Sequence, residues 1–305
     1  MNYITKDHKG YTFDQDYKQI FKNKWNNNIA AQIVVGMRTS GAITDEDMKM
    51  LKFLFQAHFA TAEMLYRLIK PECKMEAFEA RLEKHVKNRV LNKFALCQYE
   101  GAEQIPDDAL CIYCLDVGGK ILLSHFSNFN TTNWYTIVNM KCPELITRDL
   151  VAGNFLIKLY EDCPEKIKFF KTETTYRIGR SEVIFSFELG LIHDNQLKYF
   201  VGEVVRDYDY PLGIKNKLIT FENILNTNAV KKYFAGNTEQ PIFIALCEND
   251  RNLKESFGLF DEMDIDKIIA STDKRMERPL GDKGAFIISN KKGALGEVEL
   301  SVFKK

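Results

Sequence analysis

Two carboxylates and two ammonium groups crowd one stretch of the chain: Glu188 in FSFELG, Glu203 in FVGEVVR, and Lys215 and Lys217 in LGIKNKL. Acids on neighbouring strands can hold Mg²⁺, which activates water and stabilises charge on a phosphate, while a lysine close by orients or polarises the nucleophile. Glu188 and Glu203 are thus the candidate metal ligands and catalytic acids, and Lys215 and Lys217 the candidate catalytic amines. Val205, two residues beyond Glu203, can neither bind metal nor donate a hydrogen bond. Cleavage chemistry would then need a lysine from the following helix. The leading expectation is a scaffold without catalysis, in which Glu203 is paired with Arg206 or a helix lysine.

A second set lies in KMEAFEARLEKHVKNRV, where Lys74, Arg81, Lys84, His85, Lys87 and Asn88 share a polar, mostly basic front, opposite Met75, Phe78, Leu82 and Val86. Cations so arranged can neutralise DNA phosphates, and these six residues are the candidate DNA contacts. The competing reading is the solvated face of a helical protein-interaction module.

Both sets need a scaffold. In AITDEDMKMLKFLFQAH, Thr44 caps a helix with three acids in its first turn, and Met48, Leu51, Leu54, Phe55 and His58 form its buried stripe. FATAEMLYRLI gives a second helix, capped by Thr61 and ended by Pro71, and the basic helix is third. Strands over 91–99 and 109–115 follow, then VGGKILLS, read as a turn and another apolar segment. Three helices and a hairpin over 42–126 is the order of a winged helix-turn-helix, whose third helix enters the major groove of double-stranded DNA.

Residues 145–160 read as a helix, followed by three strands ending in LKYFVGEVVR, a helix over 211–226 with Pro211 near its start, and the apolar strand PIFIALC. This αβββαβ order, in an α/β (α+β) chain, places a restriction-endonuclease-like domain over 140–305. Its acids fall on the second and third strands, at Glu188 and Glu203.

FATAEMLYRLI, FEARLEKHVKNRVLNKFAL, IYCLDVGGKILL and FVGEVVR with Lys215 and Lys217 downstream together make the chain resemble the replication-relaxation family of plasmids and mobile elements of Gram-positive bacteria. The resemblance covers about residues 42–230. It implies a winged helix followed by a nuclease-like domain, and DNA handling in replication, relaxation or transfer. In that family an acid-x-acid-Arg run is common on the third strand; Glu203 and Arg206 match it, Val205 does not, and Glu188 stands where Asp is more usual.

Net charge is zero, with 42 basic and 42 acidic residues, which argues against an all-over electrostatic coat. Residues 1–100 carry sixteen Lys/Arg against twelve Asp/Glu, so a nucleic-acid surface is expected at the front. No apolar run reaches the ~20 residues of a membrane span, and a cytoplasmic location is expected. Seven scattered cysteines suggest reduced thiols, and Trp25, Trp134 and Tyr135 are read as packing residues. The remaining expectations are no cofactor unless Mg²⁺ serves a nuclease, and double-stranded DNA as partner, with a second copy or replication and transfer proteins besides. A regulator or assembly factor whose rear domain binds protein or ligand is the further alternative.

Overall fold

The chain divides into two units, Met1–Gly153 and Asn154–Lys305. The computed structural model describes residues 2–24, 29–98, 104–179, 181–209, 212–227, 232–234, 240–263, 265, 267–289 and 294–304. The architecture is mixed α and β, with one sheet in each unit.

In the first unit the elements run β1 (Lys18–Phe21), α1 (Ala31–Thr39), α2 (Asp45–Ala57), β2 (Phe59–Thr61), α3 (Ala62–Ile69), α4 (Met75–Lys87), β3 (Leu91–Cys97), β4 (Ile112–Leu115) and α5 (Val117–Phe126). The Thr44 hydroxyl accepts from the Asp47 N–H at 3.3 Å and the Asp47 carboxylate accepts from the Thr44 N–H at 2.8 Å, a capping box that fixes where α2 begins. Thr61 caps α3 by accepting from the Met64 N–H, and Lys70, left-handed at φ 52°, ends that helix just before Pro71. Phe78, Leu82 and Val86 of α4 are buried as the apolar spacing requires.

β3 and β4 pair antiparallel, and the sheet order is β1-β3-β4-β2. The short strand between α2 and α3 therefore lies beside the second arm of the hairpin, with Phe59 opposite Cys114. β1 pairs along the outer edge of β3, and single bridges join Tyr3 to Cys97 and Thr5 to Ala109. β1 and the bridging residues Tyr3 and Thr5, all before the 42–126 span expected for the winged helix, thus build into this unit. Residues 99–103 of the hairpin loop lie outside the described residues.

The segment VGGKILLS, read as a turn and another apolar segment, is one continuous helix, α5. A Cβ on Gly119 would stand 2.5 Å from the Val90 carbonyl oxygen, and one on Gly118 2.7 Å from that of Arg89. The glycines allow α5 to approach the backbone that follows α4; they do not mark a reversal.

In the second unit come the end of α6 (Pro143–Asp162), whose earlier turns belong to the first, then β5 (Ile167–Ile178), β6 (Ser181–His193), β7 (Gln196–Val205), α7 (Leu212–Leu225), β8 (Ile242–Cys247), α8 (Asp250–Phe260), β9 (Ile268–Thr272), β10 (Phe286–Ser289) and β11 (Leu295–Val298). One seven-stranded sheet is ordered β11-β10-β9-β8-β7-β6-β5. β5, β6 and β7 form an antiparallel meander, its second turn made by Asp194 and Asn195, both at positive φ. β7, β8 and β9 run parallel, with α7 and α8 as the crossovers that parallel pairing demands. Val201, Val205, Leu218, Phe221, Phe243 and Phe257 join in one core cluster. Phe155 packs on Phe187, Phe286 and Phe303 in another. Pro211, expected early in α7, falls outside the described residues.

No disulfide forms among the seven cysteines, which are free. Trp134 is buried while Tyr135 is exposed, so of the aromatic residues expected to pack one does and one does not; Trp25 lies outside the described residues. No helix among the described residues is long and apolar enough to cross a membrane.

Candidate functional site

The sheet of the second unit carries both candidate acids. Glu188 lies in β6 opposite Val201 of β7, and Glu203 follows Val201 by two residues. Partners across a ladder share a face, as do residues two apart, so both carboxylates lie on the side of the sheet that α7 covers. Gly202, between Val201 and Glu203, belongs to the other face: it pairs with Phe187, and a Cβ there would come within 1.9 Å of that ring.

Glu203 is buried, and its two oxygens have different partners. Oε2 accepts from the Ser186 N–H at 3.0 Å, and Oε1 accepts from Lys217 Nζ at 2.5 Å. α7 therefore delivers one of the two lysines. Lys215 instead pairs with Glu262 at 3.1 Å, where both side chains are largely exposed. Arg206, expected as a partner for Glu203, has its Nη2 on Asp273 at 3.0 Å and is fully buried. Burial pushes the Asp273 carboxyl up, against the opposing pull of Arg206.

Glu188 is also buried, and Lys171, its neighbour across the ladder in β5, lies 3.9 Å away. Burial raises its pKa above the ordinary glutamate range, and Lys171 offsets part of that rise. The Tyr176 hydroxyl, whose own pKa is raised by burial and by Glu188, has no hydrogen-bond partner among the described residues. Two hard oxygen donors on one face, with an ammonium held on one of them, suit a divalent cation in donor type. Lys217 and the Ser186 amide already engage Glu203, so a cation would have to share that carboxylate with them.

In the first unit the six basic-face candidates separate into two groups. Arg81 and His85 turn inward. Arg81 Nε donates to Asp47 at 2.9 Å and its Nη1 to Glu46 at 2.7 Å, while His85 Nε2 lies 2.8 Å from the same Asp47 oxygen. Burial works to raise the Asp47 pKa, but His85, the Thr44 amide and Arg81 outweigh it and hold it at about 2. Those two residues, nominated as DNA contacts, are the pins that fasten α4 to the start of α2. Asn88 is the half-buried C-cap of α4. Lys74, Lys84 and Lys87 are exposed and make no ion pair among the described residues.

Sequence reasoning missed the acids that receive these groups. Asp116, fully buried, accepts from Arg89 Nε at 2.7 Å and Nη2 at 3.1 Å and ties the end of α4 to the start of α5. Asp149 accepts from Lys141 Nζ at 2.7 Å and lies 3.1 Å from His58 Nδ1. The Thr44-x-x-Asp47 spacing was the one available signal, and it shows a cap without showing what else the aspartate holds.

No protein-family model matches the chain, and no curated protein does. Among solved structures, protein VC1899 from Vibrio cholerae is similar at 9% identity with a TM-score of 0.26, over 83% of this chain. This chain spans 55% of that one's length.

Proposed function

We propose that the protein binds double-stranded DNA through a winged helix in its first unit and carries a restriction-endonuclease-like second unit. The observation that supports this best is the place of β2. A strand between the first two helices of the motif that pairs with the second arm of the following hairpin is the winged-helix arrangement, and here β2 pairs with β4 directly after the α2, α3, α4 and β3 order. α4 then presents Lys74, Ala77, Ala80, Lys84 and Lys87 outward. Small residues between lysines let a helix lie deep in a groove while the cations meet phosphates. The order β5-β6-β7-β8-β9 with only β6 reversed favours the nuclease-like assignment for the second unit.

The role in view is the replication, relaxation or transfer of plasmid or other mobile DNA. Its test is a fluorescence-anisotropy titration of a plasmid-derived duplex at several salt concentrations, with wild type and Lys84→Gln/Lys87→Gln. The double variant should bind more weakly, and its slope of log affinity against log salt should be smaller by about two, one for each lost phosphate contact. Equal affinity and slope would defeat the proposal.

A second reading, favoured by the Lys217–Glu203 contact, is a metal-dependent nuclease. Glu188 and Glu203 would hold the ion, which supplies an activated water, and Lys217 would hold the place left by Val205. Nicking of supercoiled plasmid in Mg²⁺ or Mn²⁺ that disappears in Glu203→Ala supports it; no nicking by wild type leaves a scaffold.

A further inference from the structure

We infer that the segment before α1 is part of the DNA-binding surface: Lys22 and Lys24, at the end of β1, grip the phosphate backbone beside the last turn of α4. The inference rests on the reading of α4 as the DNA-binding helix, and extends it to a segment that reading does not use.

The juxtaposition is set by one residue. Asn23 donates from Nδ2 to the Val86 carbonyl at 2.9 Å, within the last turn of α4. Its backbone is clamped as well: its N–H donates to the Asn92 Oδ1 at 3.0 Å and its carbonyl accepts from the Asn92 Nδ2 at 3.1 Å. Lys22 is fixed by its own N–H to the Lys93 carbonyl at 2.8 Å. Asn92 is itself fully buried, so this anchor is part of the folded unit and not a surface contact made by a loose tail. Lys22 and Lys24 flank the anchor on one side of the contact, and Lys87 follows Val86 on the other.

Charge bookkeeping around the anchor points one way. Lys22, Lys24, Lys84 and Lys87 are all exposed, and none makes an ion pair among the described residues. The other cations nearby are neutralised: Lys93 by Glu83 at 2.6 Å, Arg89 by Asp116, and Arg81 by Glu46 and Asp47. Glu83, Asp116, Glu46 and Asp47 are thus engaged by those cations, and Lys22 and Lys24 on one segment and Lys84 and Lys87 on the other stay exposed where Asn23 joins the two. Like charges so gathered repel one another, weakly in water, and the repulsion is relieved when a polyanion lies across them. The C-terminal end of α4 accounts for part of the preference, since its dipole favours cations there. It gives no reason for a distant segment to be buttoned to that end with a lysine on each side of the button. A duplex backbone, with its closely spaced phosphates, can meet a row of this kind while α4 meets the groove.

The test uses the full chain and a plasmid-derived duplex, comparing wild type, Lys22→Gln/Lys24→Gln and Lys84→Gln/Lys87→Gln in anisotropy titrations across salt. We expect the first double variant to lower the log–log salt slope by about two, as the second does, with circular dichroism unchanged in both. A slope lowered by the α4 pair but untouched by the β1 pair overturns this inference and leaves the DNA-binding reading standing. Slopes untouched by either pair overturn both. Retained duplex binding by the β1 variant with loss of binding only to anionic vesicles would also overturn it, assigning the lysines to a membrane surface.

Discussion

Asp47→Asn should loosen the first unit by an amount that shrinks as the solution is acidified. Asp47 is 2% exposed and accepts from the Thr44 amide, Arg81 and His85. Those partners lower its pKa from 3.8 to about 2 despite burial. By linkage, a lowering of nearly two units corresponds to about 2 kcal/mol of stability at neutral pH. Because the folded pKa lies below the unfolded one, this contribution is complete above the unfolded value and is lost as pH falls toward the folded value. About 1 kcal/mol of it should be gone by pH 3. The variant should therefore be about 2 kcal/mol less stable at pH 7, with the gap narrowing by about 1 kcal/mol at pH 3. Urea unfolding followed by tryptophan emission measures this unit alone, since both tryptophans, Trp25 and Trp134, lie within it. A gap under about 0.5 kcal/mol at pH 7, the usual range for an inert substitution, or a gap constant down to pH 3, would refute the claim that Asp47 pins α4 through its charge.

Three further outcomes concern the second unit. Lys217→Met should cost about 3–5 kcal/mol by removing the ammonium from the buried Glu203 carboxylate, whereas Lys215→Met should cost under about 1 kcal/mol because its pair is exposed; chemical denaturation followed by hydrogen exchange in β7 compares them. Gly202→Ala should destabilise by about 1–3 kcal/mol or more through the Phe187 ring, and adding Phe187→Ala should abolish that increment in a double-mutant cycle. Glu188 has a folded pKa raised above its unfolded one, so its charge opposes folding: the stability tied to its neutral form is full below the unfolded value and lost as pH rises through the folded one. Glu188→Gln should consequently stabilise this unit more at pH 7 than at pH 4, read by exchange protection of β6.

Much of this scaffold was legible because local chemistry decides it. Thr44 and Thr61 announce α2 and α3, and the apolar spacing of α4 places Phe78, Leu82 and Val86 inward. The alternation of β6 and β7 likewise set Glu188 and Glu203 in one sheet. What escaped was decided by partners far along the chain. Helical periodicity shows that Arg81 and His85 avoid the apolar side, but not that Asp47, more than thirty residues earlier, waits opposite them. Arg206 is claimed by Asp273 of the segment after β9, which leaves Glu203 to Lys217. β1 is four residues with no pattern of its own, made a strand by β3, and the glycines of α5 serve close packing where a turn was the simpler expectation.

The pairing of β1 with β3 bears on how the protein can be cut down for study. A chain begun at residue 42, the start of the span expected for a winged helix, would strip the partner from β3 and bare a row of backbone amides and carbonyls from Phe94 to Cys97. Such an edge recruits strands from other molecules, so the shortened protein should self-associate in proportion to concentration. Insolubility of that truncation would report a missing strand and would say nothing against the integrity of the helices behind it.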